Sequence, residues 1–447
     1  MTTAATYPRP REANAVLAIL VVAYILSFID RNILALLVGP IRREFDLTDF
    51  QFSILHGWAF TLFYIFLGLP IGWLADRFSR KWIITGGIFL WSLMTCICGL
   101  AKNFGGLFAA RIGVGVGEAA LSPPAYSLLS DYFEPRRLKY ATAIYTAGIT
   151  VGSGTSYMIG GWLYERFAAM GGLQLPALGL DFKAWQLTFV AVGLPGLLVA
   201  ALFLLVREPR RQTTALDTVG GANLADVGAH LRAHRRAYTG LILGISMMAV
   251  IGYGMLTWLP EFLLRTYGMQ KAEGGAWLGG IFIIGGTAGT FSGAVFAGLL
   301  EKRGYVDANM RLIGLVAAVL TPLAIAAALM PTAAGALALY ALVTFLQYTH
   351  FGVGIAALQL ITPNRMRAQV SALMLFSTNL FGLALGGSFV AFFTDFVYRS
   401  DAALNVSLAS VAAIVYPLAA LAIFGGLKHY RRAQRLVAVP AQAGTAM

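Results

Sequence analysis

The chain has 447 residues, of which 58% are hydrophobic and only 12% charged, with a formal net charge of +13. Soluble globular proteins carry about 25% charged residues, so the composition excludes a water-soluble domain and points to an integral membrane protein. The basic excess is what topology and anionic headgroups at one membrane face require, and no nucleic-acid partner is needed to explain it.

Twelve apolar stretches supply the roughly 20 residues that a spanning helix needs. They lie near 14–38, 50–74, 82–101, 105–130, 138–163, 184–206, 238–264, 275–300, 310–330, 333–361, 369–397 and 404–427. Barrel strands would instead alternate over ten-residue segments, so the expected fold class is an all-α membrane protein of twelve transmembrane helices. A polar, charge-rich stretch divides these spans six and six. The expected organisation is an N-terminal six-helix bundle at 1–206, a cytoplasmic central loop at 207–236, a C-terminal six-helix bundle at 237–430 and a cytoplasmic tail at 431–447. An even number of spans puts both termini on one side. Most of the 33 Lys and Arg fall on that side, which the positive-inside rule makes cytoplasmic. The leading MTTAATYPRPREAN runs into a span too long for a cleaved signal, so a multi-pass protein of the cell (inner) membrane is expected.

The first span carries Asp30 and Arg31, and the fourth carries Arg111 and Glu118. An ionised group at mid-bilayer costs about 2.5–3.5 kcal/mol on insertion scales, and such groups are functional by default. Arg111 and Glu118 lie two helical turns apart, on one face and about 10.5 Å apart along the axis. Gly115 lies between them, with room expected there for a side chain, water or ligand. Asp30 and Arg31 are neighbours and so point about 100° apart. Glu118 is the expected proton carrier, with Asp30 sharing that role. Arg111, with Arg31 beside it, is the expected clamp for a phosphate or carboxylate, because a guanidinium fork binds anions bidentately. The alternative is a static, mutually neutralised quartet.

The second span ends in Gly72-Trp-Leu-Ala-Asp76-Arg77, followed by Arg80 and Lys81. Charges at that end can pair with Asp131 or with Arg137 and its neighbours after the fourth span, or across to the other bundle. The glycines 113, 115 and 117 are followed by no Gly-Lys-Ser/Thr, which excludes a Walker loop, and close helix packing explains them better. His56 reads as packing. In the second half the ionisable groups thin out, leaving Tyr253, Trp258, Gln347 and His350 as the candidates to line a substrate path. One charged wall and one apolar wall suit an amphiphile. The five histidines are scattered, so no metal site and no cofactor is expected.

Three short patterns repeat at a near-constant offset between the halves. Gly72…Asp76-Arg77 is echoed by Gly298…Glu301-Lys302, Pro135-Arg136-Arg137 by Pro363-Asn364-Arg365, and the glycines of the fifth span by Gly382, Gly386 and Gly387. Parallel six-helix halves with a site between them are a transporter plan. GWLADRFSRKW at 72–82 and RIGVGVGE at 111–118 resemble two signatures of the major facilitator superfamily, with Ser79 where that family usually has Gly. FIDRN on the first span together with Arg111 and Glu118 resembles its spinster-type branch, which handles sphingolipids and lysolipids, and similar Asp-Arg pairs occur in its anion–cation symporters. The resemblance implies two pseudo-symmetric bundles around a cavity. It also implies a cytoplasmic latch built from Gly72, Asp76, Arg77, Arg80, Lys81, Asp131 and Arg137.

The expected activity is secondary active, proton-coupled transport of an amphiphilic anion by alternating access. The expected partners are that substrate, protons and membrane lipids, and a monomer is expected. A symporter of small organic anions is the alternative. A multidrug antiporter is a further one, although Ser153 stands where the drug-antiporter pattern has Pro. A polytopic enzyme should show a catalytic cluster at the membrane surface, and none is apparent. A channel or receptor would lack saturable counterflow.

Overall fold

The computed structural model describes residues 7–175, 180–211 and 223–442. Twelve main helices follow one another: α1 Pro10–Leu36, α2 49–77, α3 Arg80–Cys98, α4 Phe104–Tyr132, α5 Pro135–Ala169, α6 Ala184–Phe203, α7 Arg235–Tyr267, α8 Lys271–Lys302, α9 Ala308–Ala328, α10 Ala333–Leu360, α11 367–398 and α12 Leu404–Gln442. Short helices Val38–Phe45 and Leu224–Ala233 precede α2 and α7, and a two-stranded ribbon pairs Leu173–Leu175 with Leu180–Phe182. All helices but α5 are long and apolar enough to cross a membrane, eleven among the described residues. α5 is continuous over 35 residues, but its Gly, Ser and Thr content lowers its apolarity.

Large apolar side chains face outward along these helices. Leu198, Ile284 and Phe291 are 69%, 73% and 70% exposed, a surface that hydrocarbon covers and water would not tolerate. Helix ends carry local signals. Pro10 and Pro135 open α1 and α5 where a missing N–H costs nothing. Thr48 and Gln51 close a reciprocal capping box at α2, and Asn103 and Thr332 cap α4 and α10.

The half-to-half repeat extends to irregular backbone. α2 contains a wide turn at Ile54–Trp58, and α8 contains one at Ile281–Gly286. α4 is interrupted at Ala120–Leu121, just before Pro123 and Pro124, and α10 is interrupted at Thr349. Such interruptions in a spanning helix are tolerated where protein satisfies the freed backbone groups.

The chain clusters into two compact units. The first holds Met1–Ala215 with Leu256–Ile283, and the second holds Leu216–Met255 with Ile284–Met447. The division thus falls at the central loop, with one addition: the end of α7 and the start of α8 join the first unit. Glycine makes that joining possible. A Cβ on Gly161 would lie 2.3 Å from the Lys271 carbonyl oxygen, and one on Gly275 would lie 2.2 Å from that of Tyr157, so α5 and α8 touch backbone to backbone.

Candidate functional site

The first unit brings Asp30, Arg31, Arg111 and Glu118 together, all at most 6% exposed. Arg31 donates to Glu118 Oε2 from Nε at 3.2 Å and from Nη2 at 2.5 Å. Its guanidinium also lies over Phe28 at 4.6 Å, Phe60 at 4.6 Å and Tyr64 at 5.0 Å. Three ring faces beside one cation provide an electrostatic cage that does not depend on a carboxylate. Glu118 Oε1 is buried with no hydrogen-bond partner.

Arg111 is fully buried and donates from Nη1 to the Asp30 backbone carbonyl at 3.2 Å, while its Nε and Nη2 have no hydrogen-bond partner. Trp91 and Thr95 face the Asp30 carboxylate, yet the carboxylate oxygens, the Trp91 indole nitrogen and the Thr95 hydroxyl all lack a well-aligned hydrogen bond. Unsatisfied buried polar groups are rare in stable cores, and their concentration here is what a site with a second protonation or ligand state would show.

Glycine brings α2, α3 and α4 this close, and Gly115 acts otherwise than its place in the sequence suggests. It leaves no room for a ligand, because a Cβ there would lie 2.5 Å from the Phe60 carbonyl oxygen; the glycine is a contact between α4 and α2. Gly117 seats α4 on α3 in the same way, 2.5 Å from the Trp91 amide nitrogen. Glu118 is the group that pairs with Arg31, and the interruption of α4 follows directly after it. Phe28 stands three residues before Arg31, and Phe60 and Tyr64 are four apart on α2. That spacing signals the cage, but only once α1 and α2 are known to face each other.

The remaining candidates are placed as follows. Trp258, in the first unit, is fully buried against Phe52 and Arg265, and His56 Nδ1 lies 3.3 Å from the Thr257 hydroxyl. In the second unit Gln347 is spent on helix joining: its amide donates to the Met248 carbonyl at 2.8 Å and accepts from the Tyr416 hydroxyl at 2.9 Å. His350 Nδ1 lies 2.5 Å from the Gln347 carbonyl of its own helix. Gln347 and His350 flank the α10 interruption that corresponds to the one after Glu118. Tyr253 is the half-buried member of this set.

At the 207–211 end of the first unit, Arg80 pairs with Asp131 at 2.5 Å and Glu208 at 2.8 Å, and also donates to the Ser127 carbonyl at 3.0 Å. Glu208 further accepts from the Lys81 amide at 2.8 Å and the Ser79 hydroxyl at 2.8 Å, so a carboxylate caps the positive end of α3. Arg211 caps the negative end of α2 through the carbonyls of Ala75 and Phe78. Arg77 is exposed and lies over Trp73, Lys81 lies over Trp82, Arg137 is exposed, and Gly72 passes Pro123. The Asp76 side chain lies outside the described residues. Arg80 and Asp131 thus meet within one unit, and Glu208 and Arg211, unmarked by any motif, complete the group.

Burial works against the Glu208 carboxylate, but the Lys81 amide and the Arg80 and Ser79 side chains outweigh it and hold its pKa below the usual value. A carboxyl depressed by folding contributes stability that is complete above its unfolded pKa and is lost as pH falls through its folded pKa. Glu208→Gln is therefore expected to lower the melting temperature at neutral pH, with the gap to wild type narrowing in acid. A gap constant across a pH series of melting curves would show that the carboxylate charge is irrelevant.

Twelve helices in repeated halves, with an ionised centre inside the spans, define a multi-pass membrane protein built as a transporter. The Major Facilitator Superfamily model matches residues 20–387, and the chain belongs to that superfamily, resembling its spinster-type branch. It is 27% identical over 377 residues to an MFS-type efflux pump of Mycolicibacterium smegmatis, covering 83% of this chain and 82% of that one. It is 30% identical over 262 residues to human protein spinster homolog 1, covering 58% of this chain and about half (47%) of the human one. A crystal structure of a bacterial homologue of the human lysosomal transporter Spinster, inward-facing and unoccupied, superposes with a TM-score of 0.78 at 27% identity, covering 96% of this chain and 98% of that chain.

Proposed function

We propose that this transporter is a proton-coupled carrier of an amphiphilic anion, of the lysolipid or sphingoid-phosphate class, working by alternating access in the cell membrane with both termini cytoplasmic. The observation that supports this reading is the double holding of Arg31 by Glu118 and by three aromatic faces. A proton on Glu118 removes the charge partner but leaves the cage, so Arg31 stays in place with its fork free for a phosphate or carboxylate. Arg111, with two unspent donors, is the second arginine for the same anion. Deprotonation of Glu118 returns Arg31 to the carboxylate and expels the anion. Proton and cargo are coupled through one guanidinium.

The test is proton flux from proteoliposomes given lysolipids, sphingoid phosphates or small organic acids. A pH change with the lipids alone supports the reading, and flux with organic acids alone would replace it by an anion symporter. The mycolicibacterial efflux pump favours drug–proton antiport as the second reading, for which cationic drugs would give the flux. Arg111→Ala is expected to weaken transport of the anionic cargo about tenfold more than that of a neutral analogue, the difference carried by one charge-assisted bond. Equal losses would assign Arg111 to structure.

A further inference from the structure

The second unit contains a groove, apart from the ionised centre, with about 350 Å³ of space between α7, α11 and the short helix Leu224–Ala233. One stripe of α7 lines it, and its residues change character with depth. Arg235 stands at the mouth, Thr239 one turn in, Ile242 and Leu243 two turns in, and Ser246 at the inner end. These positions are spaced by three and four residues, so they share one face, and the stripe is about 16 Å long at 1.5 Å per residue. Leu373 and Phe381 of α11 supply the facing apolar wall.

Two observations mark the groove as a binding site rather than loose packing. The first is charge: Arg232 and Arg235 both lie at the mouth and are exposed. Arg232 spends Nε on the Gly228 carbonyl of its own helix, and neither arginine is ion-paired with a carboxylate among the described residues. The second is at the other end, where the Ser246 hydroxyl is fully buried with no hydrogen-bond partner. A serine in a helix can satisfy itself on the carbonyl four residues back, and this one does not. Over the outer part of the stripe, Arg235, then the Thr239 hydroxyl, then Ile242 and Leu243 follow the order in which a glycerophospholipid presents phosphate, ester oxygens and acyl chain. Its long axis lies along the spanning helices in any bilayer.

We infer that this groove is a binding site for an anionic glycerophospholipid of the surrounding bilayer, held by Arg232 and Arg235 and bound as a resident lipid rather than as cargo. The site is independent of the transport reading, because it uses neither the ionised centre nor a proton. A polybasic mouth selects anionic over zwitterionic headgroups, and the aligned stripe of α7 fixes the chain.

The test is lipid retention by native mass spectrometry, with the full chain purified from nanodiscs of equal phosphatidylglycerol and phosphatidylcholine. Wild type is expected to retain one phosphatidylglycerol severalfold in preference to phosphatidylcholine. Arg232→Gln/Arg235→Gln should abolish that preference, whereas Lys302→Gln/Arg303→Gln, which removes the same charge from exposed positions elsewhere, should preserve it. Thr239→Trp, which keeps both arginines but fills the groove one turn in, should also reduce retention severalfold. Equal retention of the two lipids by wild type would overturn the inference. So would loss of the preference in both charge variants alike, which would reduce it to general surface charge.

Discussion

Glu118→Gln is expected to abolish uphill, proton-driven accumulation while leaving counterflow exchange of the cargo intact. The substitution keeps the shape of the side chain and an acceptor oxygen for Arg31, but removes the charge that a proton would neutralise. Arg31 is then locked in its proton-loaded arrangement, held by the faces of Phe28, Phe60 and Tyr64, and open to the anion at every pH. Exchange needs only that the cargo ride in both directions, so it survives, and its pH dependence should flatten. Stability should fall by about 1–3 kcal/mol, the cost of weakening one buried charge-assisted hydrogen bond. The measurement is a paired assay in proteoliposomes: accumulation under an imposed pH gradient, and counterflow without one. Retained accumulation would remove Glu118 from coupling and shift attention to Asp30, whose buried carboxylate oxygens likewise lack a well-aligned hydrogen bond.

Much of this arrangement is legible in the sequence for a physical reason. Ionised residues inside apolar spans are too costly to go unnoticed, so Asp30, Arg31, Arg111 and Glu118 stand out before any fold is known. Helical periodicity predicts that Arg111 and Glu118 share a face, but it is silent on which helix lies opposite. The pairing of Glu118 with Arg31 across α1 and α4 is a tertiary fact. Gly115 shows the same limit, since a glycine between two charges reads equally well as space or as contact, and only the Phe60 backbone decides. Gln347 and His350 stand out as polar residues in an apolar half, but their hydrogen bonds to Met248, Tyr416 and their own helix are invisible to a linear reading. Glu208 and Arg211 were hidden differently. They sit in a stretch where charge is abundant, and only their positions over the ends of α3 and α2 distinguish them from a solvated loop.

Asp49→Asn should produce the largest conformational effect of any single substitution outside the ionised centre. Asp49 lies in the first turn of α2 and is fully buried. It accepts from Arg42 at 2.8 Å and from both arms of Arg265 at 2.7 and 2.8 Å, while Arg265 also reaches Glu261 at 2.9 Å. Lys271 extends the cluster to the Leu36 carbonyl at 2.6 Å. These bonds tie the 256–283 segment to the first six helices, and the proposed alternating access would require such ties to break and reform. Asparagine keeps the volume but removes the charge that Arg42 and Arg265 share, and breaking a buried pair costs about 3–5 kcal/mol. Each 1.4 kcal/mol is a factor of ten in an opening equilibrium. Hydrogen exchange of the 256–267 amides should therefore quicken by about 100-fold or more, while amides of α9 in the second unit change little. Arg265→Gln added to Asp49→Asn removes one of the two cations that Asp49 neutralises and should return part of the protection, because the penalty lies mainly in buried cation charge no longer balanced by Asp49. Uniform acceleration across α7 and α9 would mean global destabilisation. Unchanged exchange at 256–267 would mean that glycine packing between α5 and α8 holds the segment by itself, and that the ion cluster is not what transport must open.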